Sequence, residues 1–325
     1  MKLGILGTGM IVQDLLTTLD RLPLTSFSLL GTPHSKEKTE SLAARYNAAA
    51  VFYDYQEMLE SDVDTVYVAL PNHLHFSFAS KALEHGKHVI IEKPITTSLH
   101  ELSALKRLAA ENNCIMLEAM NIHFLPAYQA IQSELAKIGR IRMVSLNYSQ
   151  YSSRYNDFLQ GIIHPAFDAE KAGGALMDLN VYNIHFISGL FGQPDNVNYY
   201  ANIQNNIDTS GVLVADFGDF KCVCIGAKDC KAPTTSLIQG EKGSIQISFP
   251  VNQMTGFSVQ LNNGDSLNVN FDRRDHRLYD EFQAFIRIID NRDLDEAARL
   301  MAITTTASDI IQRSKQSAGM VAAER

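Results

Sequence analysis

The sequence predicts an α/β protein in two parts: a doubly wound parallel sheet, then an α+β domain on an open, mostly antiparallel sheet. Three observations predict it. Residues 1–121 alternate short apolar runs with helical patterns, as strands covered on both faces and joined by crossover helices do. After about residue 122, successive strand-like runs follow one another through tight turns. The length, 325 residues, accommodates two domains, placed at 1–121 and 122–325.

In the first part, strands are expected at Lys2–Gly7, Ser26–Thr32, Ala49–Tyr53, Asp64–Leu70, His88–Lys93 and Cys114–Met120. Helices are expected between them at Lys36–Tyr46, Phe76–His85 and Leu99–Asn112. The second part opens with a helix over Pro126–Ile138 and an alternating strand over Ile141–Gln150. Further strands are expected at Asn196–Gln204, Gly211–Phe217, Phe220–Gly226, Thr234–Gln239, Ser244–Ser248, Phe257–Leu261 and Ser266–Phe271. Phe217-Gly218-Asp219, Gly240-Glu241-Lys242-Gly243 and Asn262-Asn263-Gly264-Asp265 read as the turns between them. Helical patterns resume at Tyr279–Ile289 and Leu294–Arg313, and the chain is expected to fray from about residue 316.

The 28 Lys and Arg against 36 Asp and Glu leave a net charge of −8, which argues against nucleic acid or an anionic membrane as partner. The densest basic cluster, Arg273-Arg274-Asp275-His276-Arg277, has an acid inside it. The start, MKLGILGTGM, is neither a secretory signal nor a membrane span, and no later segment reaches spanning length. A cytoplasmic protein is expected. Cys114, Cys222, Cys224 and Cys230 contain no CxxC pair, so they read as reduced thiols with no metal site. Cys222 and Cys224 should share one face of a strand.

Gly7-Thr8-Gly9-Met10-Ile11-Val12 follows the first strand and opens a helix. Gly7 permits the tight turn, and Gly9 lets backbone approach a pyrophosphate at the positive end of the helix. Val12 stands where a third glycine usually serves helix–strand packing. The end of the second strand, Leu30-Gly31-Thr32-Pro33-His34-Ser35-Lys36-Glu37-Lys38, carries no carboxylate before Glu37 to hold a ribose 2′-hydroxyl. Thr32, His34, Ser35, Lys36 and Lys38 offer donors and positive charge instead, which favours NADP over NAD. Leu70 ends the fourth strand, Asn72 lies just past it and Lys93 ends the fifth, so all converge on the carboxyl rim where ligands bind. Lys93 closes an apolar strand, where packing alone does not explain an ammonium.

After Gly173-Gly174, the run to His185 reads as a largely buried helix. Asp178, Tyr182 and His185, at i, i+4 and i+7, form a polar stripe that suggests a site lining; Asn180 and Asn183 lie off it. Tyr151, Tyr155, Phe158, His164 and Phe167, in the loop Gln150–Lys171, are candidates for a substrate pocket, for surface packing or for a dimer contact.

These motifs resemble the glucose-fructose oxidoreductase/inositol dehydrogenase (Gfo/Idh/MocA) family, most closely its dihydrodiol dehydrogenase-like branch. The resemblance rests on Gly7–Ile11, Pro71-Asn72-His73-Leu74-His75, Gly86–Pro94, the segment from Glu118 to Pro126, and Gly173–Asp178. It implies a Rossmann domain followed by a substrate and oligomerisation domain, paired through its sheet as a dimer or tetramer. It implies that Thr8, Met10, Ile11, His75 and Glu92 join the cofactor site. Lys93 takes the place of the family's EKP lysine, often followed by a cis proline. Asp178 matches the family aspartate, and Tyr182 stands where inositol dehydrogenases have histidine, which moves the acid/base role to Tyr182. The branch's arginines near His34 and near His123-Phe124-Leu125-Pro126 are replaced.

The implied activity is hydride transfer between NADP, or NAD, and a secondary alcohol or ketone of a sugar, cyclitol or diol. His185 is an alternative acid/base. Two other readings share the fold, a cofactor-binding sensor without turnover and a redox-assisted lyase or glycosidase; fold alone does not separate them.

Overall fold

The computed structural model describes residues 1–272 and 276–320, which form two compact units. The first comprises Met1–Asn121 and Arg274–Ala302, the second Ile122–Arg273 and Ile303–Arg325. Arg273, Arg274 and Asp275 of the basic cluster, and residues 321–325 of the expected frayed end, lie outside the described residues.

The first unit alternates β1 (Lys2–Leu6), α1 (Met10–Leu16), β2 (Ser26–Leu30), α2 (Lys36–Tyr46), β3 (Ala50–Phe52) and α3 (Tyr55–Glu60). It continues with β4 (Thr65–Val68), α4 (His75–Glu84), β5 (His88–Glu92), α5 (Leu99–Glu111) and β6 (Met116–Ala119). All strand pairs are parallel, in the order β3-β2-β1-β4-β5-β6. That order reverses between β1 and β4, which opens a crevice at their carboxyl ends. The strands are apolar because helices cover both faces: Leu6, Val66, Val68, Val89 and Ile91 pack with Ala79, Leu83, Leu102 and Leu105 of α4 and α5. Burying each leucine or valine contributes about 1.5–3 kcal/mol. The helices start where side chains satisfy their first N–H groups. Asp54 accepts from Gln56 and Glu57 N–H at α3, and Ser98 accepts from Glu101 N–H at α5.

The second unit contains α6 (Pro126–Glu134), β7 (Ile141–Ser149), α7 (Tyr155–Leu159) and α8 (Val181–Phe191). Seven further strands follow: β8 (Asn196–Gln204), β9 (Ile207–Asp216), β10 (Lys221–Ala227), β11 (Ser236–Gly240), β12 (Gly243–Ile247), β13 (Gly256–Leu261) and β14 (Ser266–Asn270). The eight strands are ordered β14-β13-β12-β11-β7-β10-β9-β8, antiparallel except for the β7–β10 pair. The three glycine-containing turns join β9 to β10, β11 to β12 and β13 to β14, as expected. One sheet face is core, with Val144, Leu146, Leu213, Ile238 and Ile245 buried. Cys222 and Cys224 share that face, their sulfurs 3.8 Å apart.

The remaining helices are α9 (Leu278–Asp290) and α10 (Leu294–Ser317). The sequence placed both in the second domain, whereas α9 and the start of α10 belong to the first unit. The physical reason is the apolar stripe of α9: Phe282, Phe285, Ile286 and Ile289 are buried, and Phe282 meets Tyr67 of β4 edge-on at 5.0 Å. Among the described residues, no helix is long and apolar enough to cross a membrane.

Candidate functional site

The glycine turn sits on the carboxyl rim of the first sheet. Gly7 adopts φ +99°, and a Cβ there would lie 2.9 Å from the Ala69 carbonyl oxygen, so only glycine fits. A Cβ on Gly9 would meet nothing within 4 Å. The backbone at Gly9 therefore borders open space at the start of α1, where no side chain caps the first N–H groups. That cradle fits a pyrophosphate. Val12 is fully buried and packs the helix onto the sheet in place of the third glycine. Thr8, Ile11, Leu70 and Asn72 are half-buried along the same rim, and Met10 is exposed.

The loop after β2 is preorganised by its own residues. Thr32 and Ser35 form a reciprocal capping box, with Thr32 N–H donating to Ser35 Oγ at 2.9 Å. A Cβ on Gly31 would lie 2.4 Å from Thr39 Oγ1, which sets the close approach of α2. His34, Lys36 and Lys38 are exposed beyond this box, and the loop carries no acid before Glu37.

Lys93 follows β5, is half-buried, and precedes Pro94 through a cis peptide bond. Glu92, expected beside the cofactor, also bonds within its own unit. Its carboxylate accepts hydrogen bonds from the Tyr67 hydroxyl and, at 3.2 Å, from the Lys93 N–H. Burial raises its pKa, while Tyr67, the Lys93 ammonium and Arg277 act in the opposite sense. Glu281 of α9 is buried in the same region. Burial first, and then the Glu92 and Glu118 carboxylates, hold its pKa well above the usual range against the pull of Arg277.

His75, also expected at the cofactor, has both ring nitrogens engaged by backbone. Nδ1 lies 2.9 Å from the Pro94 carbonyl oxygen and Nε2 lies 2.8 Å from that of Leu70. It braces the ends of β4 and β5, and burial holds its pKa below the ordinary value. Glu118 accepts the Ile95 N–H at 3.0 Å, which fixes the segment after Pro94.

The second unit positions Asp178, Tyr182 and His185. Gly173 touches the backbone of Pro165 and Ala166, where a Cβ would come to 2.6 Å. Gly174 adopts φ +104°, and its Cβ would fall 2.0 Å from Asp208 Oδ1. These two contacts require the glycine pair. Asp208 accepts the Leu176 N–H at 2.7 Å and the Tyr199 hydroxyl at 2.8 Å, which ties the helix start to β8 and β9. Burial raises the Asp208 pKa to about 6 despite those donors.

The helix expected from sequence begins as a π turn over Leu176–Asn180 before continuing as α8. The wider turn alters the i, i+4 spacing on which the stripe was read. No solvent-facing stripe results: Tyr182 and His185 are buried and Asp178 is half-buried. Asn180 and Asn183 have a separate structural role. Their amides donate to the carbonyls of Cys224 and Ile225 at 3.2 and 3.0 Å and pin the helix to β10.

Asp178 Oδ2 accepts Lys228 Nζ at 2.9 Å. The Tyr182 ring lies 5.8 Å from that of Tyr148, and His185 Nδ1 lies 3.4 Å from His123 Nε2. In the loop, Phe158 and Phe167 stack at 4.9 Å with Tyr155 and Ile207 around them, a small core of their own. His164 contacts Asp157 at 2.7 Å, and Tyr151 is exposed. Packing thus accounts for Phe158 and Phe167.

Lys228, Asp208, Tyr67 and Glu281 were not singled out from sequence. Lys228 carried a usable signal, since it closes an apolar strand as Lys93 does. Asp208 gave none, because its partners, Leu176 and Tyr199, lie on separate segments distant in sequence.

Residues 1–120 match the oxidoreductase family with an NAD-binding Rossmann fold, and residues 127–246 match the GFO/IDH/MocA C-terminal domain. The chain is 31% identical over 324 residues to scyllo-inositol 2-dehydrogenase (NADP(+)) IolU of Bacillus subtilis (strain 168), covering 98% of each chain. It is 25% identical over 254 residues to trans-1,2-dihydrobenzene-1,2-diol dehydrogenase of Xenopus tropicalis, covering 76% of this chain and 74% of that one. The crystal structure of KijD10, a 3-ketoreductase from Actinomadura kijaniata in complex with NADP, shares the fold at a TM-score of 0.80 and 18% identity. That likeness covers 98% of this chain and 97% of the other. With both domain matches in order and a relative aligned along nearly its whole length, the protein belongs to the Gfo/Idh/MocA oxidoreductase family.

Proposed function

We propose that the chain is an NADP-dependent oxidoreductase that interconverts a secondary alcohol and a ketone on a sugar, cyclitol or diol. The observation that carries this is the 31% identity, over 98% of both chains, with an NADP-dependent scyllo-inositol dehydrogenase. The open backbone cradle at Gly9 and the acid-free loop from Thr32 to Lys36 support it from this chain's own residues.

Gly7, Thr8, Gly9, Met10 and Ile11 would hold the pyrophosphate. Thr32, His34, Ser35 and Lys38 would face the adenosine ribose and its 2′-phosphate, and Leu70, Asn72 and Lys93 the nicotinamide half. When bound, the nicotinamide supplies or accepts the hydride. His75 and Glu92 act from behind, bracing the backbone that carries Leu70 and Lys93.

Oxidation requires that the alcohol lose its proton as hydride leaves. Tyr182 takes that proton, with the Lys93 ammonium favouring developing negative charge on oxygen. In reduction the same groups return the proton. Asp178 accepts hydroxyls of the substrate and sets which carbon reacts. His185, buried against His123, is the second candidate for proton transfer.

The second unit's sheet supports a homodimer or homotetramer. Val214, Val223, Ser145 and Leu237 form one register row on the face opposite the core, and all are only half-buried. A cytoplasmic location fits the reduced cysteines.

The test compares binding of NADPH and NADH, then follows NADP⁺ reduction with scyllo-inositol and a panel of sugars and diols. Tighter NADPH binding and turnover of at least one polyol are expected. Stable NADPH binding with no turnover across polyols and their ketones would instead identify a sensor.

A further inference from the structure

We infer that Lys228 is a positioning residue for substrate recognition, locking the Asp178 carboxylate and the 164–167 segment of the loop into one arrangement. The inference rests on the substrate-facing role proposed for Asp178, but its geometry stands independently.

Lys228 directly follows β10, and its backbone is clamped on both sides. Its N–H donates to the Thr209 carbonyl at 2.8 Å, and its own carbonyl accepts the Ser152 N–H at 2.8 Å. The side chain therefore departs from a fixed point. Its ammonium donates to Asp178 Oδ2 at 2.9 Å and to the Ala166 carbonyl at 2.5 Å, and lies 4.3 Å from the centroid of the Phe167 ring. An anion, a carbonyl dipole and an aromatic face thus surround one cation.

The burial of the two charges is unequal. The Lys228 side chain is 2% exposed and that of Asp178 is 36% exposed. The cation faces only protein, while its carboxylate partner reaches accessible space. Stability does not call for this pair, because well-packed apolar residues commonly replace buried ion pairs without loss. What an apolar residue cannot do is hold a carboxylate in one rotamer through a charge-assisted hydrogen bond.

The Ala166 carbonyl also accepts the Gly174 N–H at 3.1 Å. The loop, the glycine pair, the π turn, Asp178 and Lys228 therefore close a ring of direct contacts. Phe167 extends it into the stack with Phe158 and Tyr155. Lys228 couples the proposed acceptor for substrate hydroxyls to the loop and its aromatic core. A carboxylate fixed in this way suits a neutral polyol that presents adjacent hydroxyls.

The experiment uses the full chain and four proteins: wild type, Lys228→Met, Asp178→Asn and the double variant. Kinetics with scyllo-inositol and NADP⁺ are read beside NADPH affinity. Hydrogen exchange is followed over 162–168 and 176–182. Lys228→Met should keep its NADPH affinity within about twofold, raise KM and lower kcat/KM about 100-fold, and speed exchange in both segments together. Because Lys228 acts through Asp178, the double variant should fall within about threefold of Asp178→Asn alone.

Independent, multiplicative losses in that cycle would overturn the assignment, as would wild-type kinetics and exchange in a folded Lys228→Met. If that variant does not fold, comparing exchange in the double variant, which leaves no orphan charge, with Asp178→Asn decides the matter. Wild type inactive on scyllo-inositol and the wider panel counts against the proposed function, while the exchange data still judge Lys228.

Discussion

Individual buried carboxylates set measurable properties of this protein. Asp208 has a folded pKa of about 6 against 3.8 in a solvated chain, so the folded state binds its proton more tightly. Stability from this group is fully present below the unfolded value and is lost as pH rises through about 6. The difference amounts to about 3 kcal/mol. Wild type should therefore gain about that much relative to Asp208→Asn between about pH 7 and pH 4, read by urea unfolding at each pH. A gap between the two proteins that stays constant with pH would contradict the account. Gly174→Ala meets the same carboxylate sterically, and its φ of +104° adds strain. It should lose at least about 1–3 kcal/mol in the same assay.

At the scale of elements, the two glycines of the first turn separate fold from binding. Gly7→Ala forces a side chain against the Ala69 carbonyl and should destabilise the unit. Gly9→Ala has room in the protein, so its unfolding should match wild type while NADPH affinity falls about tenfold or more, or about 1.4 kcal/mol. Equal affinity by fluorescence titration would remove Gly9 from the cofactor cradle. For α8, Asn183→Leu takes away the donor to Ile225 and should cost about 1–3 kcal/mol with NADPH binding retained.

The helices and strands around these sites were largely legible in sequence, because period and turn chemistry are local. α2 lies over Lys36–Tyr46 as its pattern implies, and β8 over Asn196–Gln204 likewise. The π turn at Leu176–Asn180 was not legible, since it is held by Asp208 and by the asparagine contacts with β10. His75 and Glu92 were legible as special positions, but their bonds to the Leu70 and Pro94 carbonyls and to Tyr67 were not. A motif marks a residue without saying whether its polar atoms face ligand or backbone.

At the scale of the molecule, the two units carry different kinds of sheet. The first offers a parallel sheet whose order reverses at a glycine turn, and the second offers an open sheet and a largely buried, mostly apolar helix that carries Tyr182, Asn183 and His185. The half-buried outer face of that sheet accounts for the proposed assembly. Val223→Glu and Leu237→Glu together should reduce the mass seen by light scattering to a smaller species. An unchanged mass would place the interface elsewhere.

The central claim is that Lys93 and Tyr182 handle the proton that accompanies NADP-dependent hydride transfer. It is tested most directly by initial rates of NADP⁺ reduction with the preferred polyol, for wild type, Lys93→Ala and Tyr182→Phe. The account predicts losses in kcat of about 10²–10⁴ for each variant with NADPH binding preserved in Tyr182→Phe. Turnover unchanged from wild type in both variants would contradict it.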